Sequence, residues 1–343
     1  MRAPDSCPET TLWRRGFGRR ALAGTANLPG GNRRGEGEVS ARAAIACHDA
    51  RVTHSHHPRA TLAALAAIGL WGSLAVLGLR LRHVPPFLLV GLALLLGALV
   101  GARHIALRDA PPRILALGVY GLFAYHFCLF MGLRLAPPVE ANLLNYLWPL
   151  LIVVLSPVFL PGATLRPRHI AGATLGFAGA ALLVTGGRLS FSAAGTAGYL
   201  LAIAAAVIWS TYSLLTKRIG SFPTSAIATF CLASGLLSLA CHVLFEPRYM
   251  PSAADAPWLL LIGLGPMGAA FYLWDRALKE GDPRVIGTLA YLTPLLSTLL
   301  LVLFGGGRLT RHSVAAMSLI VGGAVLGTLP GREPRPSVAR QRG

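Results

Sequence analysis

The chain has 343 residues, 54% of them hydrophobic and only 13% charged, with a mean hydropathy of +0.59. Soluble domains carry about 25% charged residues, so this composition excludes an ordinary water-soluble enzyme and points to lipid as the solvent. The net charge of +18 does not mark a nucleic-acid binder: ten of the 31 Lys and Arg lie in the first 60 residues, and nearly all the rest are scattered singly or in twos and threes, whereas nucleic acid is met by a concentrated basic face.

Residues 1–58 are rich in Arg, Gly and Ala without a periodic apolar face, and read as a disordered basic tail or an over-extended gene start. Arg14-Arg15 is not followed by the apolar stretch of a signal peptide, and His54-Ser55-His56-His57 reads as a solvated tract rather than a metal site. Ten apolar segments of membrane-spanning length follow. They are Thr61–Leu79, Pro85–Gly101, Arg113–Leu135, Pro138–Leu160, His169–Gly186, Gly195–Thr216, Phe222–Phe245, Trp258–Leu278, Pro283–Phe304 and His312–Leu329. Residues 331–343 form a second basic tail. The connections are short and rich in Arg, Pro and Gly, which leaves no room for a soluble catalytic domain. With the first segment running outward, ten inter-segment Lys and Arg fall inside against seven outside, so both termini are expected in the cytoplasm.

In the third segment Tyr125-His126 stands about 12 Å of helix rise from Arg134. An ionisable side chain so deep in lipid is a functional-site candidate. The fourth segment carries ANLLNYLWPLLIVVLS, residues 141 to 156. At 100° per residue its Asn142, Asn145, Tyr146, Trp148 and Pro149 share one face, and its leucines mostly populate the other. Asn is too costly to face lipid, so it points to a cavity or joins helices. Pro149 has no N–H, which frees the Asn145 carbonyl and invites a kink; packing alone is the competing use. Glu140, at the external end, reads as a surface charge. Trp71, Trp148 and Trp209 lie near the centres of their segments, where an indole needs a hydrated cavity or a buried acceptor unless it only packs. In the eighth segment Asp275 pairs with Lys279, and Arg276 with Glu280, at i,i+4. These pairs close the cytoplasmic end, or Asp275 carries a proton.

The five cysteines (Cys7, Cys47, Cys128, Cys231 and Cys241) have neither CxxC nor zinc-like spacing. No metal set and no cofactor motif is found, and an intramembrane enzyme would want a catalytic partner for His126 that the sequence does not supply.

The chain also repeats itself. Displaced by 145 residues, PPVEANLLNYLWPLLIVVL falls beside DPRVIGTLAYLTPLLSTLL, with Tyr146 over Tyr291 and Pro149 over Pro294. A slightly smaller offset places Trp71 over Trp209 and Arg80 over Arg218, and RHIAGATLGFAGAALL matches RHSVAAMSLIVGGAVL. Residues 60–187 and 195–330 are thus two copies of one five-helix unit. Five is odd, so the second copy crosses the membrane in the opposite sense, the layout that builds midplane sites with alternating access. The expected fold class is an all-α integral membrane protein of ten transmembrane helices in two inverted five-helix repeats. Gly172-x3-Gly176 and Gly322-Gly323 are expected at close helix contacts.

Ten segments in two copies, each with a Pro-containing fourth helix, resemble the EamA-type transporters of the drug/metabolite transporter superfamily over residues 60–330. ANLLNYLWPLLIVVLS, the YHF of the third segment and the central Trp of the sixth are most similar to the branch of aromatic amino-acid exporters. The resemblance implies a cavity lined by Tyr125, His126, Tyr146, Trp148 and Trp209. Asn142, Asn145 and Tyr291 join them as candidates for substrate binding, Pro149 and Pro294 for gating kinks, and His126 and Asp275 for proton coupling. The implied function is export of small metabolites, aromatic or other large neutral amino acids first, from a bacterial inner membrane, with lipid as surroundings and a monomer or homodimer as assembly. The alternatives are a carrier of another metabolite or drug with proton coupling, and an intramembrane enzyme or regulator.

Overall fold

The computed structural model describes residues 58–105, 111–305 and 308–329. The two expected tails, with the His tract, Cys7 and Cys47, lie outside the described residues. Regular structure among the described residues is helical throughout, without a strand. In chain order the first half contains α1 (Pro58–Gly72), α2 (Leu74–Arg80), α3 (Pro86–Leu99), α4 (Pro112–Val119), α5 (Tyr125–Leu135), α6 (Pro138–Asn145), α7 (Leu147–Phe159) and α8 (Pro167–Thr185). The second half contains α9 (Thr196–Ile219), α10 (Ile227–Phe245), α11 (Ala256–Leu264), α12 (Ala270–Glu280), α13 (Pro283–Leu289), α14 (Leu292–Phe304) and α15 (Arg311–Thr328).

Proline sets most of the starts. Pro86, Pro112, Pro138, Pro167 and Pro283 open their helices, where the missing N–H has no intrahelical partner to lose and the fixed φ suits the first turn. Asp282 adds a side-chain cap to α13 by accepting from Arg284 N at 2.9 Å. Two ends are marked by left-handed glycines, Gly186 (φ 59°) after α8 and Gly220 (φ 54°) after α9, a conformation open to residues without Cβ.

Among the described residues, eight helical segments are long and apolar enough to cross a membrane: Pro58–Arg80, Pro112–Leu135, Pro138–Phe159, Pro167–Thr185, Ala193–Ile219, Thr224–Phe245, Ala253–Glu280 and Pro283–Phe304. The other two expected segments are also helical, as α3 of 14 residues and α15 of 18, but fall outside those eight. Large side chains such as Val158, Val243 and Leu303 are more than two-thirds exposed, which only an apolar solvent tolerates in such number.

The repeat is built into the backbone. A π-helical turn at Tyr120–Ala124 separates α4 from α5, and another at Gly265–Ala269, 145 residues on, separates α11 from α12. The same shift carries the start of α6 (Pro138) onto that of α13 (Pro283), and the end of α7 (Phe159) onto that of α14 (Phe304).

Small residues let α8 and α15 meet at backbone distance. A Cβ on Gly172 would stand 2.7 Å from Gly327 N, and one on Gly323 would stand 2.6 Å from Gly172 O. Gly322 departs from the expectation, because a Cβ there meets nothing within 4 Å. The contact stripe advances by three and four residues along the helix, so adjacent glycines cannot both lie on it. Glu140 departs too. It is buried, and its Oε1 accepts from Ser190 N at 2.9 Å, fastening the loop after α8 instead of facing water.

Candidate functional site

The expected kink in the fourth segment is a full break. α6 stops at Asn145, α7 begins at Leu147, and Tyr146 between them has φ −65° and ψ 2°. Pro149 removes the donor that would have reached the Asn145 carbonyl. The ninth segment breaks at the matching place, between α13 and α14 at Ala290-Tyr291, and there Thr293 N donates to the Ala290 carbonyl at 3.0 Å.

A cavity of about 390 Å³ opens beside these breaks. Asn142, Asn145, Tyr146 and Trp148 reach it from the fourth segment, Tyr125 and His126 from α5, and Trp209 from α9. The remaining wall comes from α1 to α3, α11, the second π-helical turn, α12 and α14. Seven of the eight residues singled out in the sequence for substrate binding therefore converge on one space. The eighth, Tyr291, does not line it. Tyr291 is fully buried behind the wall; its hydroxyl donates to the Tyr146 carbonyl at 3.2 Å and accepts from Leu150 N at 3.1 Å.

The chemistry of the wall is aromatic with a few polar atoms. Trp71, Trp148 and Trp209 form a mutual edge-to-face cluster with centroids 5.7 to 6.4 Å apart, the arrangement that ring quadrupoles favour. Tyr125 lies 5.1 Å from Trp209, and His126 lies 6.2 Å from Phe271. His126 Nδ1 bonds the Leu122 carbonyl at 2.5 Å. That acceptor requires the proton on Nδ1 and leaves Nε2, which has no bond among the described residues, as the acceptor nitrogen. Asn145 Nδ2 donates to the Tyr125 hydroxyl at 3.4 Å, while Asn145 Oδ1 and Thr293 Oγ1, both in lining residues, are buried without a partner among the described residues. Buried polar atoms are nearly always paired, so these two, each on a lining residue, are the ones a ligand's polar groups could satisfy after a side-chain rotation into the cavity.

Asp275 lies outside the cavity wall, fully buried, and accepts from Lys279 Nζ at 2.8 Å and from Thr224 Oγ1 at 2.5 Å. Lys217 Nζ donates nearby to the carbonyls of Lys279 and Gly281 at 2.8 and 2.9 Å. The pairing of Arg276 with Glu280 forms as its spacing predicts, at 2.9 Å.

The sequence reading missed Thr293, Ser297 and Met267 in the wall and Trp274 behind it. Trp274 packs 5.1 Å from Trp71 and donates to Ser213 Oγ at 3.1 Å. One signal was available: Trp274 stands one helical turn beyond Phe271, the residue aligned with His126. Thr293 had none, since a Thr in a membrane helix ordinarily bonds its own backbone, as Thr298 does to Pro294 O.

Comparison with known proteins places this geometry. Residues 58–185 and 196–329 each match the model of the EamA-like transporter family. The aromatic amino acid exporter YddG of Ancylobacter novellus is 46% identical over 282 residues, covering 80% of this chain and 98% of the relative. YddG of Salmonella typhimurium is 27% identical over 264 residues, covering 71% and 88%. A crystal structure of a protein 46% identical superposes with a TM-score of 0.75, covering 78% of this chain and 95% of the other. The duplicated helical unit, the apolar exterior and the family match together establish that the chain belongs to the EamA-like transporter family.

Proposed function

We propose that this chain is a bacterial inner-membrane secondary exporter of aromatic or other large neutral amino acids, working by alternating access. In this reading ten helices cross the membrane as two inverted five-helix repeats, residues 60–187 and 195–330, with both termini in the cytoplasm. Family membership sets aside the enzyme reading.

The observation that carries the substrate class is the pairing of an aromatic wall with two bare polar atoms. Trp71, Trp148, Trp209 and Tyr125 offer ring faces and edges to a flat apolar side chain. Turned into the cavity by a side-chain rotation, Asn145 Oδ1 would accept from an ammonium and Thr293 Oγ1 would donate to a carboxylate. Relatives named as aromatic amino acid exporters support the same class. In the proposed orientation the lining residues of the first to fourth segments, Ala75, Val90, Leu129 and Asn142 among them, sit on the external halves of their helices. The cavity is then the outward-facing one, closed below by the Asp275–Lys279–Lys217 group.

The test is uptake of labelled Phe, Trp and Leu into liposomes carrying the purified protein, with and without a pH gradient. Saturable, mutually competing flux without a gradient supports the proposal. Flux only with a gradient moves the assignment to proton coupling through His126 or Asp275. Absence of flux for all three returns the cargo to another class of small metabolite or drug.

A further inference from the structure

We propose that Tyr291 is a positioning residue for transport, whose hydroxyl holds open the break in the fourth segment, and that Tyr146 takes the same part at the break in the ninth segment when the cavity faces the other way. This rests on the alternating-access reading above. In an uninterrupted helix the Leu150 N–H would bond the Tyr146 carbonyl directly. Instead the Tyr291 hydroxyl bridges the two, donating to Tyr146 O at 3.2 Å and accepting from Leu150 N at 3.1 Å. A hydroxyl can do both at once, and a side chain inserted in this way is a recognised cause of sharp helix bends. The three residues around that bend, Asn145, Tyr146 and Trp148, line the cavity. Tyr291 is itself held rigidly: it is fully buried, and a Cβ on Gly176 would stand 2.9 Å from its Cγ.

The repeat makes the bridge informative. Tyr146, Pro149 and Leu150 occupy the positions of Tyr291, Pro294 and Leu295, 145 residues apart. Both copies therefore own the tyrosine, the carbonyl and the amide needed for a bridge. Only one bridge is made. The Tyr146 ring stands in the cavity wall, and among the described residues no bond joins its hydroxyl to the Tyr291 carbonyl. Inverted repeats change access as one copy rocks against the other around a fixed site, and in this proposal the opposite state gives each copy the conformation that the other has here. A bond made by one copy alone is what such an exchange hands to the other, so each tyrosine stabilises one of the two states.

The experiment uses the purified protein in detergent, with its five cysteines replaced and one reporter cysteine added. Ala75→Cys lies in the cavity wall. Ser213→Cys is the matching position of the second copy, fully buried in this state. The rates of reaction with a small maleimide give an Ala75-to-Ser213 ratio. Tyr291→Phe should lower the ratio about fivefold and Tyr146→Phe should raise it about fivefold, the effect of one neutral hydrogen bond of about 1 kcal/mol. Loss of packing alone would move both variants the same way; that result, or no change in either, overturns the proposal. If Tyr291→Phe does not elute as a folded species, Tyr146→Phe decides alone, and a ratio that falls or stays put rejects the idea. No cargo is involved, so a wrong substrate class leaves the result intact. A Ser213 reporter silent in the parent protein would instead overturn alternating access itself, and this proposal with it.

Discussion

The Trp71 indole N–H donates to the Pro266 carbonyl at 3.1 Å, so a central tryptophan of the first repeat is fastened to the π-helical turn of the second. The bond explains how an indole survives far from the membrane interface, where its N–H would otherwise meet water. A π-helical turn loosens the ladder of the helix it interrupts, and Pro266 sits inside one. Trp71→Phe keeps an aromatic ring in the cluster but leaves the buried Pro266 carbonyl without this donor. The expected cost is about 1–3 kcal/mol, read as a lower unfolding temperature in detergent. Unchanged stability would mean that the carbonyl is served by water and that the bond fixes orientation only.

His126 and Trp148 separate by consequence. His126 lines the cavity, and its Nδ1 is committed to the Leu122 carbonyl. His126→Ala should therefore lower transport at least tenfold, a loss of about 1.4 kcal/mol, with the protein still folded in the membrane. Trp148→Ala removes a large ring that is 6% exposed and enlarges the pocket, so small and large cargoes should be affected unequally. Competition between Leu and Trp measures this. Equal loss for every cargo, or normal kinetics for His126→Ala, would remove that residue from the proposed site.

Much of this site was legible in the sequence because lipid makes polar residues conspicuous. Asn142, Asn145 and His126 stand out where water is absent, and doubling the motif at a fixed spacing located both helix breaks. Tyr291 stands behind the cavity wall, unlike Tyr146, for a physical reason. Its alignment with Tyr146 is real, but two copies in different conformations give matching residues different surroundings, and only the folded structure separates wall from support. Glu140 was misread because nothing in the sequence reveals that Ser190, fifty residues on, folds back to bond it.

Asp275 and Lys279 form a buried ion pair away from the cavity wall. The carboxylate is 1% exposed at the side chain and the ammonium 14%. Lys279 also donates to the Phe222 carbonyl at 2.9 Å and lies 3.7 Å from the Phe222 ring centroid. Removing one member of a buried pair strands the other and typically costs about 3–5 kcal/mol. Lys279→Ala should accordingly be strongly destabilising, and adding Asp275→Asn to it should restore part of the loss. The check is a thermal double-mutant cycle. A double variant no more stable than Lys279→Ala would show that Lys279 acts through Phe222 and the loop, not through the carboxylate.

Adjacent glycines give the sharpest contrast. Gly323 faces α8, where a Cβ would come within 2.6 Å of Gly172 O and 2.7 Å of Gly176 N, both backbone atoms that no rotamer change can move aside. Gly322 faces away, with nothing within 4 Å. Gly323→Ala should force α15 off α8 and destabilise by about 1–3 kcal/mol, as overpacking does elsewhere. Gly322→Ala should be neutral or stabilising by up to about 1 kcal/mol, since Ala is the better helix former. Each variant adds one methyl group, the two one residue apart on the same helix, so general effects on insertion or detergent binding cancel. Equal unfolding temperatures for the pair would mean that α15 slides on α8 at no cost, and that the glycine stripe does not set their distance.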